Sequence, residues 1–528
     1  MRYIRGTLGR LGTGLVVVGH LAVPALSRPV QAQEAANRWW RHVEVLAHDS
    51  LRGRNAGAPG HEQASRYIAD QFLQLGLRPA GTDGWFQRVA FVETALDAPQ
   101  VTMALREGGQ WVPLTLGRDL RITARLATGN VEAPLVFAGY GLSLPMANDL
   151  TGLDLRGKSV VHFNGAPKGL TPPMQAHGTR SRWAAMQAAG AVGIIAIGAG
   201  GTWSDAGGAG SSVSLADTSF DDARGQRLGA TANPALAPRL FAGSGISWDT
   251  VVARARRGDP LPTGALQVVL KATLPTMRRD FTSPNVVGVL PGADAALQSE
   301  YVVFSAHSDH VGTFAGPVLT GDSIFNGAMD NASGIATLIE TARAIRARGG
   351  NRRPVVFVAV TAEEKGLLGS RYFAAKPSLR SGQIVANLNT DMFLPLIPLT
   401  GLFVYGYEES DLSEDVDAVV KARGLTVYPD AEPQENRFVR SDQYSFIRQG
   451  IPALAFKVGY VPGTPEEKIW QAWVREHYHK LTDDVTQPVN RETAAAFNAF
   501  YAELGWRVAN RTMRPAWRPT SFFARPPE

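Results

Sequence analysis

A chain of 528 residues exceeds what one ordinary hydrophobic core supports, so two domains, or one domain with a large insertion, are expected. Its hydrophobic content of 45% is that of a globular protein, and the formal charge of +6 falls to 6 − 4 = +2 when Arg2, Arg5, Arg10 and Arg28 of the first 32 residues are set aside, which excludes a nucleic-acid footprint. With no cysteine there is no disulfide framework and no lipidated cysteine, and any zinc site has to be built from histidines and carboxylates.

Residues 1–32 read as a secretory signal: a positive stretch to Arg10, an apolar run over 11–26, and small residues around Val30-Gln-Ala32 for cleavage before Gln33. The alternative, a single membrane anchor, is disfavoured because that run is shorter than the roughly 20 residues a span needs. Export to a bacterial envelope compartment is expected, periplasmic or secreted, with no stable membrane insertion once the signal is removed. From 33 to 128, the first part of a catalytic domain is expected. Trp39, Trp40, Val43 and Leu46, then Ala64, Ile68 and Phe72, recur at helical spacing around a glycine-rich loop at 51–60, and short strands follow to about 125.

A second unit is expected over 129–273, with strands at 134–138, 159–163 and 193–197, a helix at 183–189, and a glycine-rich loop at 198–210. Residues 274–510 then take on a βαβ texture. Apolar strands at 285–290, 301–306, 355–361 and 384–390 alternate with helices, the clearest of which follows Asp330, so an α/β fold with a mostly parallel sheet covered on both faces is expected. The tail, 511–528, has four prolines and four arginines and is expected to be disordered or to wrap the surface.

Metal-ligating side chains stand where these strands stop, and in open α/β sheets that is where ligands bind. His307 and Asp309 lie two apart after a strand and face the same way, so the Asp309 carboxylate is a natural hydrogen-bond partner for a ligating His307. Asp330 follows an Asn326-Gly327 turn and precedes a helix, which fits either an N-cap or a carboxylate bridging two metals. Glu363 and Glu364 end an apolar strand, where adjacent like charges are costly unless a cation or proton neutralises part of them; pointing to different sides, one can bind metal and the other reach a bound water. Asp391 ends a run holding Asn387 and Asn389, and either His477 or His479 could bind metal by composition alone.

These residues sit in Ala306-His-Ser-Asp-His310, Asn326-Gly-Ala-Met-Asp-Asn-Ala-Ser-Gly334, Thr361-Ala-Glu-Glu364, Asn389-Thr-Asp391, Arg440-Ser-Asp442 and Tyr478-His-Lys-Leu-Thr-Asp483. In this order the motifs resemble the co-catalytic di-zinc exopeptidases that include bacterial leucyl aminopeptidases and glutamate carboxypeptidase. Residues 129–273 resemble the protease-associated domain, a β-rich unit often inserted in that family. The resemblance implies two zinc ions, with His307 and Asp391 on one, Glu364 and His479 on the other, and Asp330 bridging. It further implies Glu363 as general base, Tyr478 as hydrogen-bond donor to the oxyanion, and a supporting role for Asp309.

Many relatives carry Ser-Asp-His after the arginine, whereas here Gln443 follows Asp442, so a proton-handling role at that position is in doubt. Arg440 and Tyr444 are candidates for substrate binding, Tyr444 with a packed aromatic as the alternative. The function expected is an exported zinc aminopeptidase acting on peptides. Glutamate-releasing carboxypeptidase, with Arg437 and Arg440 reading a terminal carboxylate, and a metal-free receptor-like protein are the competing readings.

Overall fold

The computed structural model describes residues 28–524 except 204–206, 315, 317–320 and 381. Most of the expected export signal, residues 1–27, lies outside the described residues, and 28–32 open the helix Arg28–Leu46. Among the described residues no helix is long and apolar enough to cross a membrane.

The larger of two main sheets contains β1 (Phe86–Leu96), β2 (Ser212–Leu215), β3 (Thr276–Leu290), β4 (Glu300–His307), β5 (Val355–Val360), β6 (Gln383–Thr390), β7 (Gly401–Tyr405), β8 (Thr426–Tyr428) and β9 (Ala453–Val458). Their order is β2-β1-β3-β5-β4-β6-β9-β7-β8, and a short tenth strand, Arg78–Pro79, pairs with β3. The block β5-β4-β6-β9 is parallel, and β3 and β7 flank it antiparallel. β4, β5 and β9 are buried along their whole length, as a parallel sheet covered on both faces requires. Alternation divides their side chains: Val302, Phe304 and Ala306 pack with the helices Arg28–Leu46, Pro59–Gln74, Ser333–Arg348 and Arg491–Ala509, while Tyr301 and Val303 face Phe373 and Phe446 on the other side.

The second sheet runs Ala209–Gly210, Leu120–Thr123, Leu228–Ala232, Gly193–Ile197, Ser159–Phe163, Val131–Ala138, Thr263–Thr273, Thr102–Glu107, Gln110–Leu114, over its own apolar core. It therefore takes strands from before residue 129, where the sequence suggests a division. The reason is a continuous antiparallel ribbon. β1 and β3 pair as far as Leu96 opposite Thr276, and after a short break Thr102–Glu107 pairs with Thr263–Thr273 in the other sheet. The helix expected at 183–189 starts earlier, as Pro172–Ala188, with prolines in its first turn, where the missing N–H costs nothing. The tail wraps rather than dangles: Trp517 donates to the Gly450 carbonyl at 2.8 Å, and Phe523 is buried.

Helix Arg491–Ala509 approaches β4 so closely that a Cβ on Gly505 would lie 1.8 Å from Phe304 Cζ. Phe304 is itself clamped between Phe357 and Tyr501, at 5.3 and 4.9 Å between ring centroids. Gly505→Ala is expected to cost about 1–3 kcal/mol in denaturant unfolding, as overpacked cores do, and Phe304→Leu in the same chain to recover part of the loss. An unchanged unfolding midpoint in the single variant would show that the contact is slack.

Candidate metal centre and active site

The parallel strands deliver their chemistry at one end. β4 closes on His307, level with Val360 at the end of β5, and β6 stops at Thr390, one residue before Asp391. Glu363 and Glu364 follow β5 by a short turn. Asp330 enters from the segment preceding helix Ser333–Arg348, and His479 from the loop after helix Pro465–Glu476.

Asp330 stands in the middle. Its Oδ1 is 3.2 Å from His307 Nε2, which lies 3.4 Å from Asp391 Oδ1; its Oδ2 is 3.0 Å from His479 Nε2, which lies 3.4 Å from Glu364 Oε2. The structure thus brings together all five residues that the motifs single out, as two groups of three sharing one carboxylate. Nitrogen and oxygen ligands at 2.0–2.1 Å from a tetrahedral zinc stand roughly 3.3 Å from each other, and the distances here match such an edge. The donor set, imidazole and carboxylate only, also suits zinc, and Asp391 Oδ1 is buried without a hydrogen-bond partner among the described residues. The residues fit a pair of metal ions.

Backbone conformation aims these side chains. Ala362 (φ 54°), Met392 (φ 43°) and His479 (φ 54°) are left-handed although none is glycine, and each lies at or next to a ligand or the candidate base. Such conformations cost of order 1–3 kcal/mol each and persist where surrounding structure enforces them. Asp483 supplies part of that enforcement by accepting from the Met329 and Asp330 N–H groups at 2.8 and 3.0 Å. Arg54 supplies more: fully buried, it donates to the carbonyls of Asn326 (2.6 Å), Gly327 (3.0 Å), Ser308 (3.1 Å) and Leu46.

Electrostatics follow from burying so many acids together. Burial, then the charges of Glu364, Asp391 and Asp442, holds Glu363 well above the usual carboxylate range against the pull of His307. Burial opposes ionisation of Asp330 as well, but hydrogen bonds from His307 and His479 hold it well below that range. Asp309 is pushed up to about 6, chiefly by burial. A cavity of about 320 Å³ opens beside the cluster, lined by Glu363, Tyr478, His479 and Arg440 and by apolar groups including Leu394, Phe456, Trp473 and Val474.

Two expectations are corrected. The Asp309 carboxylate does not hold His307: His307 Nδ1 faces the Asp309 main-chain carbonyl at 3.1 Å, and the carboxylate instead accepts from the Glu363 N–H at 3.1 Å. The chain turns directly after His307, so the two-residue alternation of a strand no longer applies. Tyr444 does not line the cavity. It is 3% exposed, its hydroxyl lies 2.9 Å from His177 Nδ1 of the second unit, and the Arg180 guanidinium sits 5.4 Å from its ring centre. Arg440 does line the cavity, paired with Glu435 at 2.7 Å.

Other contributors escaped the sequence reading. His310, visible in the first motif, places Nδ1 2.7 Å from Glu364 Oε1. Gln443 uses both ends of its amide, accepting from Asn389 at 2.9 Å and donating to the carbonyls of Arg437 and Phe438 at 2.8 and 3.0 Å, so it ties the Arg437–Val439 turn to the end of β6. Lys457, in β9, lines the cavity, and burial pulls it down to about 8.

The fold and its two groups of clustered side chains resemble those of the co-catalytic zinc exopeptidases. Residues 285–504 match the model of Peptidase family M28. A protein of Leptosphaeria maculans described as a probable zinc metalloprotease is 30% identical over 154 residues, 28% of this chain; the chain spans about a third, 34%, of that relative's length. An aminopeptidase from Aneurinibacillus sp. strain AM-1 superposes with a TM-score of 0.51 at 20% identity, over 94% of this chain and 98% of its own, a likeness of fold. A zinc aminopeptidase from Bacillus subtilis gives a TM-score of 0.44 at 18% identity, over 89% and 94% of the two chains.

Asp442 provides a test of the buried charge. Burial pushes it up to about 7, helped by Asp391 and Asp309 and opposed by His307. An acid whose pKa is higher in the folded than in the unfolded chain weakens the fold as pH rises from its unfolded value of 3.8 to its folded value. In metal-free protein, Asp442→Asn is therefore expected to gain on the wild type between pH 4 and 7, by about 4 kcal/mol at most across the window. A difference in unfolding free energy that stays flat with pH would refute this.

Proposed function

We propose that this protein is an exported di-zinc aminopeptidase that removes N-terminal residues from peptides. The observation that carries the reading is the single carboxylate of Asp330 shared between the His307–Asp391 pair and the Glu364–His479 pair, with Glu363 alongside at the mouth of a cavity. The match of residues 285–504 to the Peptidase family M28 model and the likeness of fold to the Aneurinibacillus aminopeptidase support it. His307 and Asp391 would hold one zinc, Glu364 and His479 the other, and Asp330 both. Bound there, the two ions supply Lewis acidity, acidifying water and polarising the scissile carbonyl.

The chain's own groups do the rest. Glu363, held above the usual carboxylate range by burial, suits proton exchange near neutral pH; it takes the proton of the attacking water and returns it to the departing amine. Tyr478 lines the same cavity, and its phenol, pushed up by burial, keeps its proton to donate to the carbonyl oxygen as negative charge develops there. The Asp309 carboxylate holds the Glu363 backbone in place. The second sheet, read as a protease-associated unit, partly covers the cleft, since helix Pro172–Ala188 packs against the Arg437–Val439 turn.

The aminopeptidase reading is preferred over carboxypeptidase because both arginines that could receive a terminal carboxylate are already paired, Arg437 with Glu432 at 2.9 Å and Arg440 with Glu435 at 2.7 Å. Peptides with a free amine are expected to be cleaved and N-blocked, carboxy-free ones spared; the reverse pattern would transfer the assignment to the carboxypeptidase. Metal analysis should find about two zinc ions per chain, and none would favour a receptor-like protein. Glu363→Gln should keep both ions while losing roughly 10²–10⁴-fold in turnover, and near-normal activity in that variant would remove Glu363 from the base role. Asp330→Ala should lower occupancy of both ions together.

A further inference from the structure

The cavity beside the metal centre contains a cation that the mechanism above leaves unused. Lys457 is 7% exposed and lines the cavity from β9. Its Nζ donates to the main-chain carbonyls of Met392 at 2.7 Å and Asp391 at 3.2 Å; among the described residues no carboxylate forms an ion pair with it. An ammonium has three donors, so one remains.

The other charges of the wall cancel. Arg437 pairs with Glu432 and Arg440 with Glu435. The four carboxylates of the centre, Asp330, Glu363, Glu364 and Asp391, balance two divalent ions, 4 − 4 = 0. Lys457 is left as the uncompensated charge of a pocket whose remaining walls, Leu394, Phe456, Trp473 and Val474, are apolar. A buried charge without a counter-charge is costly, and a ligand that brings the opposite sign relieves that cost.

Resting on the peptidase reading, we infer that this cavity receives the side chain of the residue being released and that Lys457 selects for one ending in a carboxylate, glutamate first. The apolar walls would take the methylene stem and the ammonium the charged end.

The test uses the zinc-loaded full chain and the free amino acids glutamate, glutamine and leucine in titration calorimetry, beside hydrolysis of the Glu-Ala, Gln-Ala and Leu-Ala dipeptides. Glutamate is expected to bind, and its dipeptide to be cleaved, with roughly ten- to hundredfold preference over leucine, with glutamine between. In Lys457→Met the glutamate-to-leucine ratio should fall to about one or invert. The ratio is the readout because general damage to the Asp391–Met392 turn lowers both alike. Leucine equal to or above glutamate in the wild type, glutamine equal to glutamate, or a ratio unmoved by Lys457→Met would overturn the inference. The wild-type ratio decides by itself if the variant does not fold. Preferential glutamate binding with no dipeptide cleaved would uphold the pocket and strike only at the peptidase reading.

Discussion

Four carboxylates crowded against the buried imidazoles of His307 and His310, with His479 at the exposed edge, set the terms for everything around them. Carboxylates this close cannot all ionise in a low-dielectric interior unless positive charge is supplied. Among protein groups alone the cluster can only share protons, which is why Glu363 is driven up while Asp330, hydrogen-bonded from both sides, is driven down. Two divalent ions held there would resolve the same conflict without protons and would leave Glu363 free to exchange one. Arg54 adds a fixed positive charge beneath the site. Burial lowers it to about 10, partly offset by the charges of Asp483, Asp330, Asp309 and Glu364, so its guanidinium remains a cation that leans on the same acids it helps to position.

The two-sheet construction explains where the cleft lies. β1 and β3 continue past a short break into the second sheet, while Ser212–Leu215 crosses back from that unit to pair with β1. The second unit is therefore tied to the main sheet by three strands and not by a flexible linker. His177 against Tyr444 and Phe522 against both apolar cores close the seam between the units from the other side.

What was legible in the sequence was whatever depends on a period or on a strand end. The apolar runs of β4, β5 and β6 identified the parallel core, and the polar residues directly after them identified the side chains that the fold gathers at one end, because both follow from local pattern. Contacts made across the fold were not legible. Nothing local shows that Gln443 spans Asn389 and the Arg437–Val439 turn, or that Tyr444 turns toward the second unit and away from the cavity. The Asp309 expectation failed for a related reason. It carried strand geometry two residues past the strand's end at His307, where the chain had already turned and offered a carbonyl in place of the carboxylate. The division expected at 129 falls past the crossing, which is marked only by single prolines, Pro99 and Pro275, in the short breaks of the two ribbon strands, a signal no stronger than that of an ordinary turn.

The left-handed residues at Ala362, Met392 and His479 connect these observations. Side chains of ordinary type in that conformation are held there against their preference, so the energy has to come from packing and hydrogen bonds elsewhere. Here part of it comes from Lys457, outside the motifs, on the Asp391 and Met392 carbonyls, and part from the Thr482 carbonyl, which lies 2.8 Å from His477 Nδ1, on the His479 loop. Ligands fixed this way do not reorganise when charge moves during reaction, which is the condition under which preorganised electrostatics is worth most. The same supports also shape the cavity wall. Lys457 steadies the turn that presents Asp391 and at the same time faces the space where a substrate side chain would lie, so the device that holds the metal centre rigid is also the one placed to read what enters beside it.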